Sequence, residues 1–326
     1  MESKDLFESR IDLSSLKAAV EQVRAEIGKI IVGQAAMVDQ LLAALLADGH
    51  VLIEGVPGVA KTLTAKLLAR TVSVDFSRIQ FTPDLMPSDI LGTSVFNPKT
   101  TAFDFKEGPI FSNLILIDEV NRAPAKTQSA LFEVMEERQV TVDGETYAMN
   151  PPFIVFATQN PLEHEGTYRL PEAQLDRFFF KVEVSYPSLD EEAAILAGHH
   201  AGRNPDHLDL VEPVLTAEQV AAYQATVRQI HIEEPLIRYI AQIIHQTRDH
   251  SALYLGASPR ASIALMTGAK AIAAMRGRDF ITPEDVQEVA YPVLRHRIIL
   301  TPEQEMEGRR PDDVIKTLIE RVEVPR

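Results

Sequence analysis

Two hydrophobic rhythms alternate along the chain. Short continuous apolar runs occur at 50–55 ("HVLIEG"), 78–82 ("RIQFT"), 114–119 ("LILIDE"), 153–158 ("FIVFAT") and 178–184 ("FFFKVEV"). They have strand length and lack the polar alternation of a half-exposed sheet, so they predict parallel strands covered on both faces. Between them lie segments with helical spacing: residues 11–30, "VDQLLAALLADG" ended by Gly49, "KTLTAKLLART" and "KTQSALFEVMEER". Strand and helix in alternation predict a doubly wound α/β domain.

Two stretches interrupt that alternation. "TSVFNPKTTAFDF" has apolar residues at every second position around a proline-containing turn, and "QVTVDGETYAM" has Asp143-Gly144 between alternating runs. Both predict β-hairpins, the second strongly, because Asp-Gly suits a two-residue turn. They read equally as plain surface hairpins or as projections that touch a client or a neighbouring subunit.

Beyond "SYPSLDEEAAIL" the character changes. Ser188 with Glu191 and Thr216 with Gln219 have capping-box spacing, and "SPRASIALMTGAKAIAAM" and "TPEDVQEVAYPVL" each open with a cap residue followed by proline. No strand signal stands in the interior of this part. The expected division is an α/β domain over 1–187, with an N-terminal helix and the two hairpins, and an all-helical domain over 188–326.

Composition narrows the function. Of 326 residues, 45% are hydrophobic and 24% charged, enough to bury cores in two domains. A formal net charge of −15 repels phosphate backbones and disfavours broad nucleic-acid binding. With 0 cysteines, disulfides and thiolate metal sites are excluded. The N-terminal "MESKDLFESRIDLSSLKAAV" is charged throughout, without the apolar core of a signal peptide, and no run has the length of a membrane span. A soluble cytoplasmic protein is expected.

The chemistry concentrates at strand ends. "GVPGVAKT", residues 55–62, follows an apolar strand and opens a helix, the context of a phosphate-binding loop. It departs from G-x-x-x-x-G-K-[ST] at Ala60, which is expected at the helix start, where an ordinary negative φ admits a methyl group; Gly58 is expected to be the demanding position. Lys61 can reach β- and γ-phosphates, and the Thr62 hydroxyl can bind Mg²⁺. Asp118 and Glu119 end the next apolar run but one. Asp118 can hold Mg²⁺, and Glu119 can orient a water or take its proton. Asn160, at the end of "FIVFATQNP", is placed to face a ligand crevice at the sheet's C-terminal edge, or to make a plain Asn-Pro turn. Arg260 lies in a helix's first turn, where a cation opposes the dipole unless an anion joins it. Arg177 reads either as a local ion pair with Asp176 or as a finger offered to another subunit's phosphate.

Taken together, "GVPGVAKT", "LILIDEVNRAPAKTQSALFEVMEERQV", "ATQNP", "EGTYRLPEAQLDRF" and "GASPRA" resemble the MoxR family of AAA+ ATPases, and the likeness runs from "IIVGQ" to the C-terminal helices. The resemblance implies a P-loop NTPase fold with a helical lid, and ATP/ADP and Mg²⁺ as ligands. It places Ile31, Val32, Gly33 and Gln34 near the adenine, and Gly55, Val56, Pro57, Gly58, Val59, Ala60, Lys61, Thr62 and Leu63 around the phosphates. Thr62 and Asp118 would hold the metal, with Glu119 as catalytic acid-base, Asn160 as first sensor, Arg260 as second sensor and Arg177 as the finger acting in trans. It implies a homo-oligomeric ring, usually of six, with the hairpins facing the pore or client. The partner would be a protein, in this family often one bearing a von Willebrand factor A domain, in metal insertion or complex assembly. Where the family usually reads Tyr-Pro-Leu-Pro, this chain has Tyr168-Arg169-Leu170-Pro171, so Arg169 and Arg122 are rivals for the finger.

Other readings are a nucleic-acid motor, disfavoured by the charge; a non-hydrolysing nucleotide scaffold, disfavoured by Glu119 and Asn160; and a metal-chelatase motor subunit, which differs mainly in client. His199-His200 and His245/His250 lack metal-ligand spacing and read as surface residues. The Met and Phe positions within helices read as core.

Overall fold

The computed structural model describes residues 11–161, 167–201 and 208–325. Glu165 and Gly166 of "EGTYRLPEAQLDRF" and residues 1–10 of the charged N-terminal segment lie outside the described residues. Among the described residues two compact units are present, one within 23–41 and 48–221, the other within 11–22, 42–47 and 222–325.

The first unit holds five parallel strands: β1 (Val51–Gly55), β2 (Phe76–Gln80), β3 (Leu114–Asp118), β4 (Ile154–Gln159) and β5 (Phe180–Val184). Their spatial order is β5-β1-β4-β3-β2. The chain therefore leaves β1 for the far edge and returns strand by strand, so β1 is flanked by β4 and β5, with Val51 level with both Phe156 and Phe180. Each expected strand is found. Continuous apolar runs become wholly buried strands: every residue of β3 is buried, as are the first five of β4. β2, at the edge, is more exposed and carries Arg78 and Gln80 two residues apart, hence on one face.

The helix Ala125–Glu137 buries Thr127, Gln128, Leu131, Phe132, Val134 and Met135, a stripe at helical spacing. Phe132 meets Phe178 edge-to-face at 5.6 Å in a core shared with Leu52, Ile117 and Val155. Both hairpins form, 92–97 with 102–107 and 139–142 with 145–148. Asp143 and Gly144 hold φ of 52° and 86°, the two positive values that a two-residue turn needs. The hairpins are joined side by side: Phe105 stacks on Tyr147 with centroids 4.5 Å apart, and Ser94 hydrogen-bonds Asp143.

The capping boxes at Ser188/Glu191 and Thr216/Gln219 are both made. The first unit continues past Pro187 through the helix Leu189–His200 to Ala221. In the second unit, the helices Glu234–Arg248, Pro259–Met275, Pro283–Leu294, Pro302–Met306 and Pro311–Arg321 all start at or beside proline, which loses no helical hydrogen bond there. The buried Asp285 carboxylate caps Thr282 N at 2.9 Å and is met by Arg276 at 2.9 Å and Arg278 at 2.6 Å. This unit is not all-helical: Leu253–Leu255 pairs antiparallel with Ile299–Leu300. Runs of two and three residues are too short to leave an alternation in the sequence.

Candidate nucleotide-binding site

Residues 55–62 leave the C-terminal end of β1 and lead into the helix Lys61–Thr71. Gly58 has φ 86°, as expected of the demanding position. The expectation for Ala60 is overturned: its φ is 61° and ψ 20°, left-handed. Ala60 is the cap, not the first helical residue. Its carbonyl already accepts the first helical bond from Thr64 N at 2.9 Å, while its own φ makes the bend that starts the helix. A residue with a Cβ is held there at a cost of about 1–2 kcal/mol.

A cavity of about 640 Å³ opens beside this loop. Its lining includes Pro57, Gly58, Ala60, Lys61, Thr62 and Leu63; Gly55, Val56 and Val59 are not among the lining residues. Ile31 and Val32 line it with Ile195, Gly198 and Leu210, giving an apolar part, with His199 at its exposed side. Gly33 and Gln34 do not line it; both have positive φ, and Gln34 Nε2 donates to Ser185 O at 3.2 Å.

The polar part joins residues far apart in sequence. Lys61 Nζ donates to Gly55 O within its own loop and to Gln159 O at 3.4 Å. Asp118, 5% exposed, accepts from Thr62 Oγ1 at 3.1 Å and Thr158 Oγ1 at 3.2 Å through Oδ1, and from Arg78 Nε at 2.6 Å through Oδ2. Thr158 Oγ1 in turn accepts from Glu119 N at 3.0 Å, so one hydroxyl ties the two acids together. Glu119 has φ 57° and ψ 54°; that bend separates its side chain from that of Asp118. Its Oε2 accepts from Gln80 Nε2 at 2.7 Å and lies 3.1 Å from Arg122 Nε. Asn160, 8% exposed, also lines the cavity.

Arg78, Gln80 and Thr158 were absent from the sequence expectations. A signal for Thr158 exists: it is a polar residue inside a buried strand, two before Asn160. Arg78 and Gln80 look like ordinary edge-strand polar residues until the strand order sets β2 against β3, with Gln80 level with Asp118.

The arginines differ in their surroundings. Arg122 pairs with Glu119 as above. Arg177 donates from Nη1 to Phe132 O and lies 3.7 Å from Glu136, with its side chain 31% exposed. The sequence partner Asp176 is not the one seen in that ion pair. Arg169 is 84% exposed and stands 3.8 Å from Glu172. Arg260 is exposed in the first turn of Pro259–Met275, in the other compact unit.

Mg²⁺ favours hard oxygen donors, few of them from protein, with nucleotide phosphates completing its shell. The Thr62 hydroxyl and Asp118 carboxylate, in contact beside Lys61, fit that requirement. Among the described residues, no group of three or more His, Cys, Asp or Glu forms a self-sufficient metal cage. No helix among them is long and apolar enough to cross a membrane.

Known proteins resemble this chain in sequence and fold. Residues 50–180 match the sequence family "ATPase family associated with various cellular activities (AAA)", and 245–318 match the AAA lid domain. The chaperone MoxR1 of Mycobacterium tuberculosis is 44% identical, over 94% of this chain and 82% of its own. The uncharacterized protein YeaC of Bacillus subtilis is 46% identical, over 92% of each. A crystal structure of a protein from Cytophaga hutchinsonii superposes with a TM-score of 0.87 at 43% identity, over 96% of this chain and 97% of that one.

Proposed function

The chain belongs to the MoxR family of AAA+ ATPases and hydrolyses ATP, and we propose that it couples this hydrolysis to remodelling or activating a protein partner. The observation that carries the chemistry is the contact of Thr62 with Asp118 beside Lys61, made by two motifs 56 positions apart. MoxR1, a chaperone by name, supports the client half of the proposal.

In this reading ATP lies in the cavity with its base toward Ile31, Val32 and Ile195. Lys61 leaves the Gly55 and Gln159 carbonyls for the β- and γ-phosphates, whose charge outweighs neutral acceptors. Thr62 and Asp118 would hold Mg²⁺, which would neutralise phosphate charge. Glu119 accepts a proton from the attacking water while Asn160 fixes the water or the γ-phosphate. The new bond forms at the γ-phosphorus as its bond to the β–γ bridging oxygen breaks, and ADP leaves with that electron pair. Arg260 and a neighbouring subunit's Arg177 stabilise the equatorial oxygens. We further propose a hexameric ring in the cytoplasm, with the joined hairpins toward the client and clients that include proteins with a von Willebrand factor A domain. A second reading of the finger is favoured by one observation: Arg169 is far more exposed than Arg177.

The Glu119→Gln variant tests this. It is expected to bind ATP normally, to lose roughly 10²–10⁴ in turnover, and to retain a protein client with ATP but not with ADP. Unchanged turnover sinks the role of Glu119. Retention of no client by this variant, with wild-type hydrolysis stimulated by single-stranded DNA, sinks the protein-remodelling reading in favour of a nucleic-acid motor.

A further inference from the structure

Asp118 is a nearly buried carboxylate, and a charge in that position needs a positive partner. The hydroxyls of Thr62 and Thr158 occupy Oδ1 but bring no charge; Arg78 supplies it, at 2.6 Å from Oδ2. We propose that Arg78 is the resident counter-ion of the metal-binding carboxylate: it holds Asp118 in the nucleotide-free chain and yields it to Mg²⁺ when nucleotide arrives. The proposal rests on the reading of Thr62 and Asp118 as the metal-binding pair.

Three features fit a releasable contact. The contact runs through Nε to one carboxylate oxygen, not through the two-pronged pairing that makes arginine–carboxylate bridges strong. The Arg78 side chain is 47% exposed and lines the cavity, so packing does not hold it in place. Its backbone lies in the edge strand β2, level with Leu116 of β3, so the guanidinium moves about an anchored point beside the cavity.

A guanidinium and a divalent cation on the same carboxylate repel each other. Metal alone must therefore displace Arg78 with nothing to receive it. Metal accompanied by nucleotide brings phosphate oxygens that can take both cations. Arg78 thus makes metal binding conditional on nucleotide, and it acts as a positioning residue, not a catalytic one. If Arg78 served only to pin the sheet edge, its loss would lower the melting temperature and leave metal affinity unchanged.

The test uses the full chain and two readouts apart from turnover. Mn²⁺ binding to the nucleotide-free chain is followed by electron paramagnetic resonance, and retention of a fluorescent ADP analogue is followed against Mg²⁺ concentration. Arg78→Gln is expected to tighten Mn²⁺ binding roughly tenfold, the worth of one charge-assisted hydrogen bond. With ADP bound the phosphates can receive the guanidinium, so the half-saturating Mg²⁺ should shift much less, by under about threefold. Arg78→Lys keeps the charge and should fall between, which decides the matter if the glutamine variant folds poorly. Arg70→Gln removes a charge elsewhere and should shift neither readout. Unchanged or weaker Mn²⁺ binding in Arg78→Gln overturns the proposal. Failure of the wild-type chain to retain ADP at any Mg²⁺ concentration would overturn the nucleotide reading instead, and the Mn²⁺ measurement would still decide the role of Arg78.

Discussion

Gly58 and Ala60 both hold left-handed backbone, φ 86° and 61°, with the buried Val59 between them. Glycine adopts that region freely, whereas alanine does so at about 1–2 kcal/mol. Replacing Ala60 by glycine relieves the strain and returns roughly 0.4–1 kcal/mol of it as added freedom in the unfolded chain. Ala60→Gly is therefore expected to stabilise the protein by about 0.5–1 kcal/mol, with ADP affinity changed less than about threefold. Gly58→Val should abolish binding through the backbone alone, because a Cβ at Gly58 meets nothing within 4 Å. Denaturant melts and a fluorescent-ADP titration measure both. A destabilised Ala60→Gly would show that the methyl group packs against something the loop needs.

What the sequence revealed and what it hid divide along a physical line. The buried strands were legible because burial on both faces demands continuous apolar runs, as in "LILID". The Asp143-Gly144 turn was legible because few residues tolerate two positive φ values in succession. Thr62 and Asp118 were legible as residue types in their motifs. Their partners were not: Arg78 and Gln80 matter because β2 lies beside β3, and strand order is a non-local outcome with no signature at those positions. The conformation of Ala60 was misread because a one-residue difference in where the helix begins exchanges an ordinary φ for a left-handed one. The short pairing of Leu253–Leu255 with Ile299–Leu300 joins residues over forty positions apart in runs too brief to show a period.

His50 predicts an acid sensitivity. It is buried just before β1; its Nδ1 accepts from Val155 N at 3.0 Å, and its Nε2 faces Met135 O at 3.1 Å, which requires the neutral ring protonated at Nε2. Burial, with the nearby Arg138 charge adding to it, lowers its pKa from 6.5 to about 4. The unfolded chain therefore binds more protons than the folded one between those values. Stability from this residue is full above pH 6.5 and is lost as the pH falls toward 4, by on the order of 3 kcal/mol at the lower end. Urea midpoints across that range should fall with acid, and His50→Gln should flatten the slope while lowering stability at neutral pH. An unchanged slope in that variant would place the acid sensitivity elsewhere.

The choice between Arg177 and Arg169 can be made by complementation. A finger acting in trans completes a site whose Glu119 belongs to a different subunit. Arg177→Lys should then lower turnover at saturating ATP by ~10³ or more, with ADP affinity unchanged. Mixed with Glu119→Gln chains, it should regain activity, because in some interfaces an intact Glu119 meets an intact Arg177. Arg169→Ala removes only an exposed contact at 3.8 Å to Glu172, a pair worth about 0–1 kcal/mol at most. It should leave both turnover and stability nearly unchanged. Arg177 also holds Phe132 O, so its variant must be shown to melt near the wild-type temperature before the kinetic loss is assigned to the phosphate. If instead Arg169→Ala loses turnover and is rescued by Glu119→Gln chains while Arg177→Lys is not, the finger is Arg169, and Arg177 is the tie between the Phe178 turn and the helix that carries Phe132.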